Sequence, residues 1–278
     1  MPNVPTILVF DSGLGGLSVL REVVRTRPDA HYVYVADDAF FPYGHHSEEA
    51  LVARVVPLFG ELIAAHAPDL SVIACSTAST LVMSHLRERY KIPFVGTVPA
   101  IKPACAQSKT RRVSVFGTKG TVQREYTKAL IRDFAQGCEV TLVGSPELAS
   151  LAESALSGNE VSDRDIAAEL APCFVGDPKD ASARTDTVVL ACTHYPLLKS
   201  LAQKILGPEV VLVDSAQNAA AALARTLDAS ALKRSSSTQK GQITICATDL
   251  PAQFPRLVER FLGEKIKKIS QINLDSIA

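Results

Sequence analysis

Short apolar runs alternate with amphipathic segments along the whole chain. Runs at 6–10, 32–36, 71–75, 94–96, 113–117, 139–143, 187–191, 210–213 and 242–246 read as strands. Helix-period segments at 16–26, 47–66, 78–90, 121–135, 147–156, 163–171, 197–205 and 215–227 read as helices, with one more near 251–262. Strand, loop, helix, strand is the pattern of parallel sheets flanked by helices, so the expected fold class is α/β. In such sheets ligands sit outside the carboxyl ends of the strands, and every motif discussed below falls at such an end.

The order also repeats. A strand reaching Phe10 runs into Asp11-Ser12-Gly13 and a helix; a later strand reaching Phe116 runs into Gly117-Thr118-Lys119-Gly120 and a helix. Each half then carries its own cysteine turn. The expectation is two similar parallel-sheet α/β domains related by pseudo-symmetry, with an active site in the cleft between them. Glycine and proline interrupt the pattern near Gly96–Pro99 and at Gly207-Pro208. These breaks assign residues 1–97 plus 208–278 to the first domain and 98–207 to the second. Residues 229–240 are polar and serine-rich and read as a surface loop.

Composition narrows the function classes. Of 278 residues, 47% are hydrophobic and 21% charged, which is ordinary for a globular protein. The 29 basic and 29 acidic residues cancel, so there is no basic footprint for nucleic acid. No apolar stretch approaches the ~20 residues needed to span a bilayer. No basic segment followed by an apolar one opens the chain, so neither a signal peptide nor membrane attachment is expected. Six scattered cysteines, with no CxxC pair, fit a reducing cytoplasm. Cys105, Cys138, Cys173 and Cys246 read as small buried hydrophobes.

The other two cysteines stand in nearly the same phrase, Ile73-Ala74-Cys75-Ser76-Thr77 and Leu190-Ala191-Cys192-Thr193-His194. Two thiols presented by one local design suit taking a proton from one face of a carbon and returning it to the other. Cys75 leaves a strand and meets small hydroxyl residues that can cap a helix. A free thiol near pKa 8.5 costs about 2 kcal/mol to ionise at neutral pH, and a helix terminus supplies up to ~1–2 kcal/mol of that. At Cys192, Thr193 can cap, Pro196 suits the first turn of a helix, and His194 can exchange a proton with the thiol or hold its charge. Asp11-Ser12-Gly13-Leu14-Gly15-Gly16 is a glycine-rich turn, but it is neither GxGxxG nor a P-loop. Asp11 would repel phosphate; an acid and a hydroxyl in a tight turn fit an amino-acid ligand, with Asp11 meeting its amino group or orienting a thiol. In Pro42-Tyr43-Gly44 the backbone N–H groups, those of Tyr43 and Gly44, can bind a carboxylate. His45 and His46 read as solvated, and Glu153 as an exposed helical carboxylate. A metal site is not expected, because the closely paired ligands of zinc clusters are missing.

Taken together, Asp11-Ser12-Gly13-Leu14-Gly15-Gly16, Pro42-Tyr43-Gly44, Cys75-Ser76-Thr77-Ala78-Ser79, Gly117-Thr118 and Cys192-Thr193-His194-Tyr195-Pro196 resemble bacterial glutamate racemases over about the first 225 residues. The resemblance implies cofactor-free interconversion of D- and L-glutamate for peptidoglycan synthesis, by an isomerase of two α/β domains. It implies Cys75 and Cys192 as the two bases, with Asp11, His194 and Glu153 assisting. Substrate contacts carry over to Asp11, Ser12, Tyr43, Gly44, Ser76, Thr77, Thr193 and His194, and Asp37 matches a retained acid near the site. The implied partners are glutamate and a second copy of the chain, with no nucleic acid or membrane and no metal. Two departures stand out. Ser76 replaces the usual Asn, losing an amide and its reach, and Asp38-Ala39-Phe40-Phe41 differs from the usual Thr-Ala-Arg loop. The rival readings are racemisation of aspartate by the same thiols, and a two-lobed binding protein that clasps an amino acid without chemistry.

Overall fold

Runs with few polar residues can be strands only where both faces of the sheet are covered. The computed structural model describes residues 4–135, 137–176, 180, 183–229, 241–249, 254–263, 266 and 268–272. Residues 230–240, most of the expected serine-rich loop, and 251–253, the start of the last expected helix, lie outside the described residues.

In chain order the structure runs β1 (Thr6–Asp11), α1 (Leu17–Thr26), β2 (His31–Ala36), α2 (Glu48–His66), β3 (Leu70–Ile73), α3 (Ser76–Leu81), α4 (Met83–Arg89), β4 (Phe94–Gly96) and α5 (Ile101–Gln107). It continues with β5 (Arg112–Thr118), α6 (Lys119–Gln123), α7 (Glu125–Phe134), β6 (Glu139–Ser145), α8 (Leu148–Leu156), α9 (Asp163–Leu170), β7 (Thr187–Leu190), α10 (Lys199–Leu206) and β8 (Val211–Asp214). Last come α11 (Ala216–Ala229), β9 (Ile243–Ala247), α12 (Phe254–Leu262) and β10 (Lys268–Gln271). The chain forms two units, residues 1–97 with 216–278, and residues 98–215.

The first unit holds a parallel sheet in the order β10-β9-β2-β1-β3-β4. Leu8, Phe10, Val35 and Ile73 share a core with Leu51, Val55 and Phe59 of α2 and Leu81 and Leu86 of α3 and α4. Helix α2 starts where the Ser47 hydroxyl accepts the Ala50 N–H at 3.2 Å, with Glu48 and Glu49 in its first turn. The second unit holds a parallel sheet in the order β6-β5-β7-β8, its core built on Val113, Val115, Val189 and Ile101. Both sheets are therefore parallel, as an α/β fold requires, and their central order is the same: β2-β1-β3-β4 against β6-β5-β7-β8.

That equivalence corrects one expected boundary. Residues 208–215 belong with the second sheet, not the first, because Val211–Asp214 pair in parallel with Thr187–Leu190. The Gly207-Pro208 break ends a helix rather than a domain: Gly207, at φ 85°, follows α10. Two expected helices are each split. Helix 78–90 divides at Val82, and helix 121–135 at Arg124, whose backbone is extended. Helix α5 and strand β10 have no counterpart in the periodicity.

Candidate active site

The equivalent strands β3 and β7 each deliver a cysteine at the carboxyl edge of their own sheet. In the first unit the Cys75 sulfur caps α3, accepting the Ala78 N–H at 3.5 Å. The Ser12 hydroxyl lies 3.6 Å from the same sulfur. Asp11 ends β1, fully buried, and its carboxylate accepts the Gly13 N–H at 3.2 Å and the Gly16 N–H at 2.9 Å. Tyr34 closes this turn by donating to the Gly13 carbonyl at 2.6 Å. Glycine at 16 is a matter of room: a Cβ there would lie 2.5 Å from the Asp11 Cβ and 2.9 Å from the Tyr34 hydroxyl oxygen.

Ser76 and Thr77 form the buried first turn of α3. The Ser76 hydroxyl has no hydrogen-bond partner among the described residues. An unmet buried hydroxyl costs about 1–3 kcal/mol, and a ligand oxygen or a water can relieve it. Tyr43 and Gly44 sit in a 3₁₀ turn beyond β2. The Tyr43 phenol is buried and donates to Asp37 at 2.7 Å, so a ligand contact from this turn falls to its backbone.

In the second unit, Cys192, Thr193 and His194 are all buried. The Cys192 sulfur lies 3.9 Å from Nδ1 of His194, and Nε2 of His194 lies 2.8 Å from the Glu153 carboxylate on α8. Burial acts to lower the histidine's pKa, but Cys192 and Glu153 outweigh it, and His194 stands well above its ordinary value. As an imidazolium it donates from both nitrogens, one toward the Cys192 sulfur and one toward the Glu153 carboxylate. Glu153 is thus not the exposed helical acid its surroundings suggested: its side chain is 21% exposed and directed at His194. The helix expected directly after His194 is also different. Residues Tyr195–Leu198 form a 3₁₀ turn and α10 begins only at Lys199, so the His194–Glu153 pair, not a helix terminus, supplies the positive charge beside Cys192.

The sequence singled out neither Arg54 nor Thr248, yet both bond to Asp37. Thr248 gave no signal, standing 211 residues from its partner. Burial pushes the thiols of Cys105 and Cys173 up to about 12, which suits packing rather than reactivity. Among the described residues, no group of three or more His, Cys, Asp and Glu side chains is arranged to hold a metal ion, and no helix is long and apolar enough to cross a membrane.

A family model described as Asp/Glu/Hydantoin racemase matches residues 7–223. The chain belongs to that racemase family. Within the family its relatives include the glutamate racemases of Brucella anthropi, 51% identical over 212 residues (76% of this chain, 75% of that protein), and Brucella abortus, 52% identical over 212 residues (76% of each). The crystal structure of Escherichia coli glutamate racemase with L-glutamate and the activator UDP-MurNAc-Ala superposes with a TM-score of 0.84 at 36% identity, covering 97% of this chain and 98% of that one. A glutamate racemase isoform from Bacillus anthracis also gives 0.84, at 27% identity, over 99% of both chains.

Proposed function

We propose that this racemase interconverts D- and L-glutamate with Cys75 and Cys192 as its two bases and no organic cofactor. The observation that carries the reading is the pair of cysteines at the ends of topologically equivalent strands, β3 and β7, in a chain about half identical to glutamate racemases. One thiolate takes the α-proton from one face of the carbon, and the other thiol delivers a proton to the opposite face. The roles exchange on the return reaction, so the resting enzyme holds one thiolate and one thiol.

The α-proton of an amino acid is very weakly acidic, and without pyridoxal phosphate as an electron sink the charge must be met by fixed donors. Ser12 and the Ala78 N–H attend Cys75, and the His194–Glu153 pair attends Cys192. Asp11 and His194 assist the adjacent thiols. Asp11, Ser12, Ser76, Thr77, Thr193, His194 and the Tyr43-Gly44 backbone contact the substrate. The product D-glutamate serves peptidoglycan synthesis. We further read the enzyme as a cytoplasmic homodimer, which cell fractionation and sedimentation velocity test.

The relatives favour glutamate over aspartate as substrate. Circular dichroism followed from each enantiomer of both amino acids checks this. Glutamate signals should decay to zero from either side while aspartate stays optically active; faster decay with aspartate would reassign the substrate.

A further inference from the structure

Asp37 follows β2 at the carboxyl edge of the first sheet and has no exposed surface. Its carboxylate accepts hydrogen bonds from three separate parts of the chain. The Tyr43 hydroxyl donates at 2.7 Å. Arg54, on α2, donates through Nε at 3.1 Å and Nη2 at 2.6 Å, the two-pronged geometry a guanidinium offers a carboxylate. The Thr248 hydroxyl donates at 2.8 Å. Parallel register explains the last contact, because Ala247 of β9 stands opposite Ala36 of β2 and so brings the next residues level.

The same side chains hold the loop between Asp37 and Tyr43. The Ala39 N–H donates to the Thr248 hydroxyl oxygen at 3.0 Å. Phe40 stacks on His46, ring centroids 3.8 Å apart, with the Arg54 guanidinium 5.6 Å from its ring centre. The Asp37 N–H donates to the Asp11 carbonyl at 2.9 Å, joining this cluster to the Asp11 turn.

Stability alone does not account for such a cluster. A buried ion pair is often no more stabilising than apolar residues of similar volume. What it does is fix orientation: every donor constrains the same carboxylate, and the carboxylate fixes the Tyr43 turn. We infer that Arg54 and Thr248 are positioning residues which, through Asp37 and Tyr43, hold the backbone of Pro42-Tyr43-Gly44 in place for the substrate carboxylate. This rests on the assignment of that turn given under the proposed function.

We take the carboxylate held by this turn to be that of the glutamate side chain, which is unaltered when the α-proton leaves; its ground-state and transition-state binding weaken together, which raises KM and leaves kcat nearly constant. The test compares Thr248→Val, Thr248→Ser and Arg54→Lys in the full-length protein, with KM and kcat measured in both directions alongside the wild type. Thr248→Val and Arg54→Lys should each raise KM by about tenfold, equivalent to about 1.4 kcal/mol, with kcat changed by less than about threefold. Thr248→Ser, which keeps the hydroxyl, should stay near the wild type. KM unchanged in both Thr248→Val and Arg54→Lys overturns the inference, whatever their melting temperatures. Should Thr248→Val not fold, Arg54→Lys and Thr248→Ser decide it on the same terms. A wild type that fails to racemise glutamate overturns the functional reading itself, whereas an active wild type with unaffected variants removes only this inference.

Discussion

Cys75 and Cys192 occupy matching places on matching strands, yet their neighbours differ. Cys75 meets a hydroxyl and a backbone N–H, while Cys192 meets a histidine that is itself paired to Glu153. Glu153→Gln should therefore bring the pKa of His194 down and slow the two directions of racemisation unequally. Histidine NMR titration checks the first effect, and His194 titrating in the ordinary range in the wild type would contradict it. The folded-state value lies above the ordinary histidine value of about 6.5, so the pair stabilises the fold fully below that pH. The stabilisation is lost as pH rises through the raised value, and Glu153→Gln should flatten that dependence in urea unfolding. At Ser76 the buried hydroxyl finds no hydrogen-bond partner among the described residues, which leaves it for the substrate to meet. Ser76→Asn should raise kcat/KM, and no gain would count against a weakened substrate grip at this position. The thiols and His194 were legible because each signal is local, a cysteine at a strand end with its partner two residues on. Glu153 was legible only by resemblance, since its contact with His194 spans 41 residues of sequence.

Elements carry the site because each strand end forces a turn of restricted shape. Gly16 opens no unusual backbone angle; it leaves space for Asp11 and Tyr34. Gly16→Ala should displace Asp11, weaken the fold by about 1–3 kcal/mol and sharply reduce activity. Unfolding curves and steady-state rates measure both, and a variant with wild-type values would show that the turn yields easily. Apolar periodicity located strands β1 to β9 because buried parallel strands are nearly continuous hydrophobic runs. It missed β10, where Lys268–Gln271 carries a single aliphatic residue, Ile269, and α5, where Pro103 sits inside a short helix. The splits at Val82 and Arg124 were equally hidden, for neither residue is a helix breaker by type.

Across the whole molecule, the two sheets share a central order, and the cysteine turns fall on equivalent strands of each. The repeat was visible in the sequence as two strand–turn–helix openings, each followed by a cysteine turn. The place of β8 was not, because whether a strand continues one sheet or returns to another depends on long-range pairing. Two-thiol racemisation requires proton exchange at the substrate's α-carbon. Incubated separately in D₂O, D-glutamate and L-glutamate should each yield the opposite enantiomer carrying deuterium at Cα, and Cys75→Ser or Cys192→Ser should abolish racemisation while ligand binding persists. Intact glutamate binding without any deuterium at Cα, or racemisation at wild-type rates in either serine variant, would contradict it.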